Sequence, residues 1–215
     1  MDDATGALIL RVDHLVYATP DVAMSSDHLE ALLGVRAAAG GKHPMWGTHN
    51  ALLALGEHAY LEICGPDPQA PPPVGTRPFG IREGMQPRLA SWVARAPSLE
   101  QARAAAQRAG VDLGEILSGS RRRPDGSSLS WRMTDPRTPR EGGIVPCVID
   151  WRDSPHPARS SPPGCTLLGL RAEHPEPGRA QVALAALGLG LPLAAARAPA
   201  LIATLRTPGG EVELR

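Results

Sequence analysis

Leu10-Arg-Val-Asp-His-Leu-Val-Tyr-Ala-Thr-Pro-Asp21 is a strand-like run that ends, past Pro20, on a residue able to cap a helix. The next residues complete a unit. Val22, Leu29, Leu32 and Leu33 mark one apolar helical face, and Gly34 stops it before a further run from Val35. The same order returns twice. Residues 89–94 lead to Pro97, Ser98 and Gln101 fit a capping box, Leu99, Ala102, Ala106 and Ala109 repeat at helical spacing, and Gly110 ends the helix. Residues 167–172 lead to Pro175, then to Val182, Leu184 and Leu187, and to Gly188. The prolines fall 77 and 78 residues apart, and the proline-to-glycine separations are 14, 13 and 13. Two intervals kept together predict a repeated module; an ordinary α+β domain with glycine after each helix is the alternative.

After each helix the pattern changes to period two with Gly or Pro turns, as antiparallel strands joined by hairpins require. Residues 49–55 and 58–63 flank Gly56-Glu57, and residues 114–122 and 127–133 flank Pro124-Asp125-Gly126. A third strand, residues 144–151, follows a Pro- and Gly-bearing loop. In the last repeat, residues 191–195, 200–207 and 211–214 are the candidate strands. The predicted fold is therefore α+β, built of βαβββ units: one at 10–67, a second at 88–151 and a shorter third at 165–215. Residues 152–164, rich in Pro and Ser, read as a linker whose shortness favours docking over free tethering.

Composition narrows the function. Lys plus Arg and Asp plus Glu are 22 each, so no overall field recruits nucleic acid or an anionic membrane. No apolar run approaches the roughly 20 residues of a bilayer span, and Met1-Asp2-Asp3 is acidic where a signal peptide is basic. A cytoplasmic protein with a small-molecule partner is the expectation. Cys64, Cys147 and Cys165 are widely spaced, with no CxxC pair, and read as reduced structural thiols.

The opening segment, with its Asp13-His14 pair, resembles the first strand and helix cap of glyoxalase-like proteins in the vicinal-oxygen-chelate superfamily. Gly40-Gly-Lys-His-Pro-Met-Trp-Gly-Thr-His-Asn50, Ala59-Tyr-Leu-Glu-Ile63 and Pro66-Asp67-Pro68 are similar to later blocks of that family, in the same order, as are Trp131 and Ile144-Val-Pro-Cys-Val-Ile-Asp-Trp151. The resemblance runs from about residue 10 to about residue 187. It implies paired βαβββ modules forming a half-open barrel around a central cavity. A divalent metal would sit on the concave face, with His, Glu or Gln ligands from the first and last strands of each module.

On alternation, His14 shares a face with Leu10, Val12 and Val16, whereas Asp13 points away. Glu62 shares its face with Tyr60 and Cys64. A carboxylate on an apolar strand must be paired, exposed or metal-bound, because burying it alone costs several kcal/mol. His14 and Glu62 are thus the candidate metal ligands, for zinc, iron, manganese or nickel. A solvated Glu and a hydrogen-bonded core His are the bland alternative. The second module places Ser91 opposite His14, and its last strand offers only Val148, Ile149 and Asp150; His43 and Glu213 are further ligand candidates. Residues 40–50 read as a Gly-bordered loop that closes over the pocket, with Lys42, His43, Thr48 and Asn50 contacting ligand together with Tyr60. His43 and Glu62 are the candidate catalytic groups, His43 for acid-base work because its unperturbed pKa of about 6.5 populates both states near neutrality. Arg121 and its two neighbours read as a solvated hairpin tip, with an anion-binding role as the alternative.

Three readings remain open at this level: a metal-dependent lyase, isomerase or dioxygenase acting on a small carbonyl or vicinal-oxygen compound; a metal-free small-molecule binding or sequestration protein using the same cavity; and a homodimeric scaffold.

Overall fold

The structure, a computed structural model, describes residues 12–122, 126–137 and 139–215. The Leu10 start of the first strand and Pro124-Asp125 of the second hairpin lie outside these residues.

Strand β1 (Val12–Ala18) leads into helix α1 (Val22–Leu33), and β2 (Ala38–His43), β3 (Thr48–Ala54) and β4 (Tyr60–Pro66) follow. The same order gives β5 (Arg88–Arg95), α2 (Leu99–Arg108), β6 (Ile116–Arg122), β7 (Ser128–Thr134) and β8 (Cys147–Asp150). Both helices start where side chains can satisfy their first N–H groups: Asp21 accepts from Met24 N and Ser98 from Gln101 N. Gly34 ends α1 at φ 72°, a left-handed turn that costs glycine least.

These eight strands make one sheet, in the order β2-β3-β4-β1-β5-β8-β7-β6, curled until β2 and β6 face each other as a nearly closed barrel. The two modules meet at β1 and β5, which are antiparallel, with His14 opposite Val93 and Val16 opposite Ser91. Adding 77 to the β1 residue of either pair gives the β5 residue of the other, so the period of the prolines is also the symmetry of the seam. The register shifts fall at Asp13 and, 77 residues on, at Ala90, so each module carries the same β-bulge.

The central strands β1, β4 and β5 are buried on both faces because both are covered. Leu15, Leu61 and Ile63 pack outward on Leu29 and Leu33 of α1, while Val16, Tyr60, Cys64, Trp131 and Ile149 pack inward. The last segment, β9 (Thr166–His174), α3 (Pro177–Ala186), β10 (Leu193–Ala195), β11 (Ala200–Thr207) and β12 (Gly210–Leu214), forms a second sheet in the order β10-β9-β11-β12. Leu167, Leu170, Leu201 and Leu205 join the outward core. In the first two modules the opening strand pairs in parallel with the last strand; here the three-residue β10 takes that place beside β9. The Pro/Ser-rich stretch before β9 is packed down, with His156, Pro157 and Ala158 buried and Pro162 O accepting from Ala54 N.

Residues 40–50, expected as a loop, are the β2–β3 hairpin instead. Lys42 pairs with His49 and His43 with Thr48, around a turn closed by Trp46 N to His43 O. The glycine pair serves close approach here, not looseness. A Cβ on Gly40 would lie 2.2 Å from Asn50 Oδ1, which accepts from Gly41 N.

Candidate functional site

The bulge in β1 decides the chemistry. It turns Val12 to the outward core, off the face of His14, and lets the neighbouring side chains of Asp13 and His14 meet. Asp13 is fully buried among donors: His14 Nδ1 at 2.8 Å, Trp151 Nε1 at 3.0 and 3.1 Å from its two oxygens, and Arg95 Nε and Nη2 at 2.9 Å. His156 Nε2 lies 3.3 Å away, near enough for attraction but poorly directed for a hydrogen bond. Burial alone would raise the pKa of Asp13, but its contacts with His14 and His156 outweigh burial and hold the carboxyl well below the usual range. An ionised carboxylate only accepts, so His14 Nδ1 carries a proton. In the neutral ring, Nε2 then presents a lone pair to the interior.

That lone pair faces another acceptor. Glu62 Oε2 lies 3.7 Å from His14 Nε2, while Glu62 Oε1 is held by Asn50 Nδ2 at 2.6 Å. A lone pair and a carboxylate oxygen facing each other in a buried site call for a cation between them: a proton on the imidazole or a metal ion. A second group of donors shares Glu62 but not His14. Ligand atoms of His43, Glu62 and Cys64 all lie within 4.8 Å of one another, and all three residues are buried. Burial, reinforced by the charge of Arg121 and opposed by Glu62, lowers the pKa of His43 to about 4, so it is neutral at pH 7. Burial, and then Glu62, push the Cys64 thiol well above its usual value. These groups enclose a cavity of ≈ 30 Å³, walled by Trp46, Phe79, Trp131 and Trp151. Tyr60 stacks on His14, ring centroids 4.6 Å apart.

Sequence comparison then places the fold. The family described as "Glyoxalase-like domain" matches residues 12–188. The chain belongs to the glyoxalase-like domain family. Its paired βαβββ modules put it within the vicinal-oxygen-chelate superfamily. Among solved structures, a hypothetical protein from Staphylococcus aureus is similar in fold at TM-score 0.66 and 10% identity, over 95% of this chain and 98% of that one. Methylmalonyl-CoA epimerase from Mycobacterium tuberculosis aligns at TM-score 0.41 and 16% identity, over 71% of this chain and 93% of that one. The Streptomyces coelicolor epimerase in complex with 2-nitronate-propionyl-CoA gives TM-score 0.41 and 15% identity, over 67% and 96%. No curated protein matches the chain in sequence.

Within this glyoxalase-like barrel His14, His43, Asn50, Tyr60 and Glu62 line one cavity. Thr48 stands behind it, with Oγ1 3.1 Å from His43 Nδ1. Lys42 faces the other way: its Nζ lies 3.1 Å from Asp67 and 2.8 Å from Gln69 on the outside. Glu213 is far from the site, paired with Arg171 at 2.9 Å on the second sheet. In the second module Cys147, through the pairing of Val93, occupies the position of Glu62, and Ile149 reaches the cavity, so the equivalent half-site lacks the His and Glu of the first. Arg121, expected in solvent, is only 7% exposed and lines the cavity. Cys64 was legible as a donor, since it shares the face of Glu62 two residues on. Asp13 was not, because alternation says nothing of a bulge.

Proposed function

We propose that this glyoxalase-like protein is a metal-dependent enzyme, of the lyase or isomerase type, that moves a proton next to the carbonyl of a small vicinal-oxygen compound. The observation that carries this reading is the facing pair of acceptors, His14 Nε2 and Glu62 Oε2, with Asp13 fixing the tautomer that exposes the lone pair. A divalent ion fits the donors around Glu62: His14 would hold it with Glu62 from one side, and His43 or Cys64, which cluster with Glu62 but not with His14, would have to close in to complete the three protein ligands that open catalytic sites usually keep. Imidazole, carboxylate and thiolate together suit zinc, iron or nickel better than magnesium. Bound there, the ion would polarise the ligand's carbonyl.

The chain's own groups supply the rest. Asp13 orients His14 and fixes its tautomer, as carboxylates behind metal-bound histidines do. Asn50 anchors Glu62. If His43 is not a ligand, its neutral ring can take up and return a proton. The aromatic walls exclude water, which strengthens every charge interaction within. The working unit is the pair of modules at 10–151, and the protein acts in the cytoplasm on a small molecule, alone or as a homodimer. No helix among the described residues is long and apolar enough to cross a membrane.

Metal analysis of variants separates the roles. His14→Ala should lose the ion, and His43→Ala should keep it while turnover falls by about 10²-fold or more. Loss of the ion from His43→Ala makes His43 a ligand instead. Parent-like ligand binding in both variants, with no ion in any preparation, would leave the metal-free binding reading.

A further inference from the structure

The interior cavity is too small to enclose a whole ligand. At ≈ 30 Å³ it takes donor atoms or a water, against about 300–1,000 Å³ for pockets that enclose small molecules. Two outer clefts adjoin it. One of ≈ 630 Å³ runs past Gly41 and Ser120 and shares Asn50 and Arg121 with the cavity. The other, of ≈ 480 Å³, shares His43, Trp46 and Trp131. Both lie where β2 faces β6, the two end strands of the eight-stranded sheet. A ligand can cross this wall without displacing a strand from its ladder.

Arg121 selects what crosses. It is buried and borders both the cavity and the larger cleft. The neighbouring cation, Lys42, lines the same cleft, but its charge is paired with Asp67 and its Nζ also reaches Gln69. One planar guanidinium with parallel N–H groups matches a carboxylate of single charge, whereas a phosphate dianion calls for further cations. Trp46 and Trp131 flank the passage and suit a flat apolar body. Building on the function proposed above, we infer that the ligand is a monocarboxylate with a flat apolar body, its carboxylate held by Arg121 at the β2–β6 seam and its adjacent oxygen turned toward His14 and Glu62.

Tryptophan fluorescence reads occupancy, because Trp46, Trp131 and Trp151 of the four tryptophans line the cavity. With the protein as purified, benzoylformate should bind at least about tenfold more tightly than acetophenone, which lacks the carboxylate, and more tightly than phenyl phosphate. In Arg121→Met, benzoylformate should weaken to the level of acetophenone while metal content stays at the parent value. Equal binding of benzoylformate and acetophenone by the parent overturns the inference, as does a preference for phenyl phosphate or binding of none of the three. These comparisons need only the parent, so they hold even if Arg121→Met does not fold. A parent without metal that still prefers benzoylformate would count against the metal reading and support this one.

Discussion

Asp13→Asn changes one buried oxygen to an amide nitrogen and tests how the site is held. The carboxylate serves His14, Trp151 and Arg95 at 2.8 to 3.1 Å and joins β1 to β5 and to the segment after β8. The amide removes the charge and sets N–H against N–H on at least one side. Arg95 is 41% exposed and can turn to water, so most of the loss falls on His14 and Trp151. Breaking a buried charged network from one side costs about 3–5 kcal/mol, a large share of the total for a domain of this size. Guanidinium unfolding at pH 7 measures it, and a cycle with Trp151→Phe isolates the indole's part. Metal affinity should fall by about 10- to 100-fold as well, since His14 loses the partner that fixes its tautomer. A stability loss below about 1 kcal/mol, or unchanged metal affinity, would refute the role given to Asp13.

In metal-free protein, stability should fall on acidification in two stages. His43, lowered to about 4, binds its proton more weakly folded than unfolded, so its neutral form stabilises above about pH 6.5 and loses about 3 kcal/mol as pH falls to 4. Asp13, lowered below the usual carboxylate range, contributes above about pH 3.9 and loses that contribution as pH falls further. Unfolding at pH 7, 5.5 and 4 shows the first stage and at about pH 3 and 2 the second, and His43→Gln should flatten the first; an unchanged slope would contradict it. Gly40→Ala should cost about 1–3 kcal/mol and weaken ligand binding, because its Cβ would displace the Asn50 amide that holds Glu62; thermal melts and titration check this. Lys42→Ala should shift stability by less than about 0.5 kcal/mol in guanidinium unfolding, since its ion pair is half exposed.

Much of the barrel was legible because punctuation survives folding. Pro20 and Pro97 lie 77 residues apart, and so do the bulges at Asp13 and Ala90 and the central pair of the β1–β5 seam, Leu15 and Trp92. Alternation worked on β4, a regular strand in which Tyr60, Glu62 and Cys64 share the cavity face. It misled on β1, where one inserted residue moved Val12 off the face of His14 and turned Asp13 toward it. Arg121 failed for a different reason: a polar run such as Ser118-Gly-Ser-Arg121 reads as solvated, and only closure of β6 against β2 buries it. The glycines at 40 and 41 suggested a mobile loop because composition cannot separate freedom from close approach. The pairing of β10 with β9 was equally hidden, since element order is the same in all three repeats.

The central claim is that a divalent metal ion joins His14 Nε2 to Glu62 Oε2. Elemental analysis of protein purified without chelator or metal-affinity resin tests it most directly, with Glu62→Gln beside the parent. The account predicts one divalent ion per parent chain and none in Glu62→Gln. A parent without metal, or a Glu62→Gln variant that holds the ion as the parent does, would contradict it.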